Sequence, residues 1–190
     1  MSEGSTAALS GKTIAFVTAQ VGVEKVELTT PWQAVLDAGG TPRLIAPEVA
    51  AVQSMVGDVD KDDTFDADLA VADASAADFD ALVLPGGTVN ADKVRADEAS
   101  VALVKAFVAA GKPVAAICHG PWALVEAGVL PGKTLTSYPS LRTDITNAGG
   151  SWVDETVFHC SAEGWDLVTS RNPDDLDAFC STFTDVFAKA

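Results

Sequence analysis

Lys112-Pro113-Val114-Ala115-Ala116-Ile117-Cys118-His119-Gly120-Pro121-Trp122-Ala123-Leu124-Val125-Glu126-Ala127-Gly128 decides how the chain is read. Val114 to Ile117 is a short apolar run of the kind that forms a buried strand. From Pro121 the pattern turns helical: proline suits a first helical turn, and Trp122, Leu124 and Val125 supply apolar faces. Cys118 falls on the corner between the two, with Gly120 two residues on. That is the layout of a nucleophile elbow, with cysteine in place of serine and Ala116 in place of the first glycine. A thiol there faces unpaired backbone N–H groups, which favour the thiolate, so Cys118 is expected to be a reactive nucleophile. The competing reading is a small buried cysteine at a strand end.

Outward from this corner, apolar runs alternate with helical spacing. Strands are expected over residues 12–18, 41–46, 80–84, 114–117 and 167–170, and helices over 24–38, 89–95, 97–110, 141–148 and 173–188. Pro31 interrupts the first helical span, so the regular helix is expected to begin there or to have an irregular first turn. Residues 19–23 read as a glycine-containing loop and 58–63 as an acidic loop. Short strands over 49–55 and 69–71 are weaker expectations, and 129–136 and 151–157 complete the late sheet. Alternation of this kind predicts an α/β domain with a mainly parallel sheet. Residues 1–11, small and polar, read as a flexible tail ahead of a single domain over 12–190.

In such sheets, sites lie beyond the carboxyl ends of the strands, which selects the loops after Val17, Leu84 and Ile117. The last carries Cys118 and His119; a neighbouring histidine can act as base if its ring turns toward the sulfur. The second carries Gly86-Gly87, whose backbone N–H groups, with that of His119, would form an oxyanion hole. The first leads to Glu24 and Glu27, three apart and on one helix face. A protonated Glu beside Cys118 would donate a hydrogen bond to the thiolate; the plainer role is an acidic first turn complementing the helix dipole, which fits Glu24 better. Asp92 alone is one of many solvated acids. His159-Cys160 and Cys180 read as structural.

The chain has 190 residues, 48% hydrophobic and 21% charged, an ordinary globular balance. A formal net charge of −15 argues against nucleic acid or an anionic membrane as partner. There is no apolar run of bilayer-spanning length and no signal-peptide pattern. Three cysteines, at 118, 160 and 180, lack zinc-type spacing, and phosphate-binding glycine motifs are absent. Nothing calls for a metal or an organic cofactor, and a cytoplasmic, reduced protein is expected.

Taken together, five stretches resemble the PfpI family of the DJ/PfpI superfamily, which is related to class I glutamine amidotransferase domains. They are residues 24–28 (EKVEL), 81–87 (ALVLPGG), 116–121 (AICHGP), 136–139 (TSYP) and 147–154 (NAGGSWVD). The resemblance runs from about Lys12 to Phe187. It implies a flavodoxin-like three-layer sandwich and a homodimer, often built into hexamers. It puts Cys118 at the nucleophile position with His119 adjacent, and Glu27 as the acid contacting the nucleophile, with Glu24 one turn earlier. The family's third carboxylate comes from a neighbouring subunit; Asp92 falls nearest that position, although residues 88–93 are one residue longer than the pattern. No late H-x-E is present, which counts against amidotransferase chemistry. Implied activities are deglycase or glyoxalase action on reactive carbonyls and glycated proteins, intracellular peptidase, and a stress chaperone or redox sensor working through Cys118 oxidation.

Overall fold

The computed structural model describes residues 7–190. A seven-stranded sheet forms the middle layer, in the spatial order β11-β12-β8-β7-β1-β3-β6. Its members are β1 (Thr13–Val17), β3 (Thr41–Ala46), β6 (Leu69–Ala70), β7 (Ala81–Leu84), β8 (Val114–Ile117), β11 (Val157–Cys160) and β12 (Leu167–Ser170). Every neighbouring pair is parallel except β11 with β12. The central strands are apolar without alternation because both faces are covered. Ile14 and Phe16 of β1 point into one core, with α1 (Lys25–Asp37) and α6 (Leu176–Phe187). Ala15 and Val17 point into the other, with α2 (Thr88–Ala96), α3 (Glu98–Ala109), α4 (Trp122–Ala127) and α5 (Arg142–Asn147). The expected three-layer α/β arrangement with a mainly parallel sheet is therefore present.

Two smaller sheets flank it. β2 (Val21–Glu24), β4 (Ala51–Val56) and β5 (Asp60–Asp66) form a three-stranded arm, and β9 (Thr134–Leu135) pairs with β10 (Ser151–Trp152). The arm corrects two expectations. Residues 21–24 form a strand instead of a loop and helix start, because Val21, Val23 and Glu24 pair in parallel with β4. The acidic segment 60–66 is also a strand; exposed along almost its whole length, it is held by antiparallel pairing to β4 and not by burial. Lys25 bridges its Asp62 and Asp63 at 3.1 and 2.7 Å. α1 runs continuously through Pro31, which leaves the Glu27 carbonyl without its intrahelical donor.

Part of the expected flexible tail lies outside the described residues. Within them, residues 7–11 form a turn; Leu9 is fully buried in the core containing Val35, and its N–H donates to the Ala38 carbonyl at 2.8 Å. One leucine among small residues was enough to dock the segment. Among the described residues, no helix is long and apolar enough to cross a membrane.

Candidate active site

The loops after β1, β7 and β8 converge, as the parallel sheet requires. Asn90, fully buried on α2, ties two of them. Its Oδ1 accepts from the Ala19 N–H at 2.7 Å, and its Nδ2 donates to the carbonyls of Pro85 and Gly86 at 3.2 and 3.0 Å. Gly87 adopts φ +89, and a Cβ there would overlap the Gly22 carbonyl and sit 2.6 Å from the Glu24 nitrogen. Glycine is needed because the β7 loop runs directly against β2.

Cys118 follows β8 with φ +60, a backbone conformation that costs a non-glycine residue about 1–3 kcal/mol. Its N–H donates to the Ser170 carbonyl at 3.1 Å, and its carbonyl accepts from the Tyr138 N–H at 2.9 Å. These bonds hold the strained residue. The strain has a consequence that sequence order alone does not suggest: the chain reverses, and the His119 ring folds back until Nδ1 lies 3.1 Å from Cys118 Sγ. The ring stacks on Tyr138, with centroids 4.6 Å apart, and meets the edge of Trp122. Its other nitrogen, Nε2, lies 3.4 Å from both Thr88 Oγ1 and Ser140 Oγ.

Glu27, fully buried on α1, lies on the other side of the sulfur. Neither carboxyl oxygen completes a well-aligned hydrogen bond, but the thiol and the Gly86 N–H flank the group closely. Burial pushes its pKa from the ordinary 4.5 up to about 8, so at neutral pH it carries a proton. Burial also drives the Cys118 thiol up, as does an ionised Glu27, against the N–H groups of Gly87 and His119, which lower it. This corrects the expectation of a thiol activated simply by a helix end: α4 is short, and desolvation outweighs it. The thiolate is accessible only when Glu27 holds the shared proton, so the two titrate as a pair. Burial lowers the His119 pKa, with Asp58 opposing, which leaves a neutral imidazole able to accept the thiol proton.

The remaining expected residues divide. Gly87 and His119 aim their N–H groups at the sulfur, whereas the Gly86 N–H turns to Glu27. Glu24 is buried, but its carboxylate is committed to the N–H groups of Gly57 and Asp58 at 3.2 and 3.0 Å. That makes it a support for the arm. Asp92 is exposed on α2, and among the described residues it makes no hydrogen bond with Cys118 or His119. The carboxylate that approaches His119 within the chain is Asp58, through Thr88. Sequence reasoning missed it: a Gly-Asp turn in an acidic stretch is a weak signal. Cys160 and Cys180 are buried away from this cluster; Cys180 is pushed up to about 12 by burial. A groove of about 500 Å3 between α1 and β5, lined by Leu28, Trp32 and Phe65, contains none of these groups.

Gly86→Ala is expected to be among the most damaging small substitutions. The new Cβ would overlap Glu27 Oε2 and stand 2.7 Å from Cys118 Cβ. A stability loss of about 2 kcal/mol or more is expected in urea unfolding, together with slower alkylation of Cys118.

Residues 12–185 match the model of the DJ-1/PfpI family. The chain belongs to the DJ-1/PfpI family. Among its relatives, general stress protein 18 of Bacillus subtilis is 41% identical over 170 residues, covering 89% of this chain and 94% of that protein. The deglycase PfpI of Pyrococcus furiosus is 38% identical over 161 residues, covering 84% and 90%. Among solved structures, DJ-1beta of Drosophila melanogaster superposes with a TM-score of 0.81 at 30% identity, covering 96% of this chain and 92% of that one. The five stretches that carried the resemblance to this family lie inside the matched region, and two of them supply Glu27, Cys118 and His119.

Proposed function

We propose that this protein is a cysteine-dependent hydrolase of small reactive carbonyls and of the adducts they form on proteins, releasing lactate from methylglyoxal-derived groups. One observation carries the reading: the Cys118 thiol is held between a protonated Glu27 and the Nδ1 of a neutral His119, with two backbone N–H groups aimed at it. Relatives named as a deglycase and a general stress protein support it.

In this reading His119 takes the thiol proton while Glu27 donates to the nascent thiolate. The sulfur adds to the aldehyde carbon, and the resulting alkoxide is met by the N–H groups of Gly87 and His119. A proton moves from that carbon to its neighbour, converting the hemithioacetal to a thioester. Water then releases lactate and returns the thiol, so the net change is addition of one water to methylglyoxal. From a protein adduct the amine or thiol leaves as a free side chain. The same reading includes a cytoplasmic homodimer or hexamer, in which Asp92 of a second copy would reach the site; Asp92→Asn would then lower kcat.

The test is repair of a methylglyoxal-modified peptide followed by mass spectrometry. Loss of the adduct with the peptide backbone intact is expected. Backbone cleavage instead would establish the peptidase alternative. An untouched peptide, with Cys118 oxidised by mild peroxide, would favour the redox-sensing stress protein.

A further inference from the structure

We infer that Asp58, acting through Thr88, is a positioning residue that fixes the His119 tautomer with the proton on Nε2 and the lone pair of Nδ1 facing Cys118. The inference rests on the proposed role of His119 as proton acceptor. Asp58 Oδ1 accepts the Thr88 N–H at 2.8 Å and its Oδ2 accepts the Thr88 hydroxyl at 2.9 Å. A carboxylate can only accept, so the hydroxyl hydrogen is spoken for. What Thr88 Oγ1 offers His119 Nε2, 3.4 Å away, is a lone pair. A neutral imidazole has one donor and one acceptor, so a proton on Nε2 leaves Nδ1 free to accept at the sulfur, 3.1 Å away. The distance to Thr88 is long, and catalytic hydrogen bonds of this kind tighten as substrate binds. Ser140 Oγ, also 3.4 Å from Nε2, belongs to an exposed residue whose hydroxyl is free to rotate and accept.

A second observation points the same way. Asp58 sits at φ +66 in the β4–β5 turn, a conformation that favours glycine. It is held there by Glu24, whose buried carboxylate accepts both turn N–H groups. Satisfying a strained turn with a buried acid has a result: it delivers Asp58 to Thr88. Glu24, Asp58 and Thr88 thus form an intramolecular support reaching His119 from the arm, with no second copy required.

The chain has two histidines, so 15N NMR of the imidazoles is readable without crowding. His119 is expected as the Nε2–H tautomer in the wild type and in Thr88→Ser. In Thr88→Val it is expected to shift toward a mixture, with Cys118 alkylation at pH 7 falling about five- to tenfold and recovering in Thr88→Ser. Asp58→Ala, at a turn outside the core, should reproduce the loss if Thr88→Val folds poorly. An Nδ1–H tautomer in the wild type, or an unchanged tautomer in both variants, would overturn the inference. None of these readouts uses substrate, so absence of lactate release would count against the proposed function and leave the tautomer result standing.

Discussion

At pH 7, Glu27→Gln is expected to stabilise the fold by about 3 kcal/mol while impairing the thiol. Glu27 is fully buried, and its pKa is raised from 4.5 to about 8. A group whose folded pKa lies above its unfolded value contributes stability that is complete below the unfolded pKa and is lost as pH rises through the folded one. Between pH 4.5 and about 8 the unfolded chain holds Glu27 ionised and the folded chain holds it protonated. Each pH unit in that window therefore costs the fold about 1.4 kcal/mol. Glutamine has nearly the same shape and no proton to recover. Its advantage over the wild type should be near zero at pH 4.5, about 3 kcal/mol at pH 7, and constant above pH 8. Urea unfolding of both proteins at pH 5 and pH 7.5 checks this, because other titrating groups cancel in the difference. Equal differences at the two pH values would mean that Glu27 is ionised in the folded protein.

The same substitution should move the pH profile of Cys118 alkylation upward, with about a tenfold loss of rate at pH 7. In the wild type, a protonated Glu27 donates to the sulfur as it ionises. An amide next to the sulfur is a weaker donor than a carboxylic acid and leaves the thiol to ionise alone. Stability gained and reactivity lost by one substitution is the pattern expected of a site whose strain is functional.

The second large effect is on turnover. Cys118→Ala is expected to lower carbonyl hydrolysis by about 1000-fold or more, since no other group in the cluster can form the covalent intermediate. The fold should lose only about 1 kcal/mol, as alanine keeps the Cβ and the backbone bonds to Ser170 and Tyr138. Cys118→Ser should be comparably inactive, because a buried hydroxyl beside Glu27 has no route to the alkoxide. A peptide map after iodoacetamide treatment separates the three cysteines, and modification at Cys118 ahead of Cys160 and Cys180 is the expected order.

Residues 112–128 were legible because three signals agree there: a buried apolar run, a turn glycine and a proline-led helix. The central strands were legible for the same reason, being apolar on both faces. β5 was not, since DKDDTFD has no strand pattern and is ordered only by its partner β4. That miss concealed Asp58, because a side chain's place in the site follows from the hairpin that presents it. Glu24 and Glu27 share one local sequence pattern, and only the fold separates them: one carboxylate caps the arm, the other faces the sulfur. The thiol's raised pKa was equally hidden, since desolvation depends on what packs around Cys118. The approach of His119 depended on the backbone reversal at φ +60.

The most direct test is lactate release from methylglyoxal by the wild-type protein and by Cys118→Ala at pH 7. Lactate from the wild type and none above background from Cys118→Ala is the predicted result. Equal release from both, or none from either, would contradict the assignment of Cys118 as a carbonyl-attacking nucleophile.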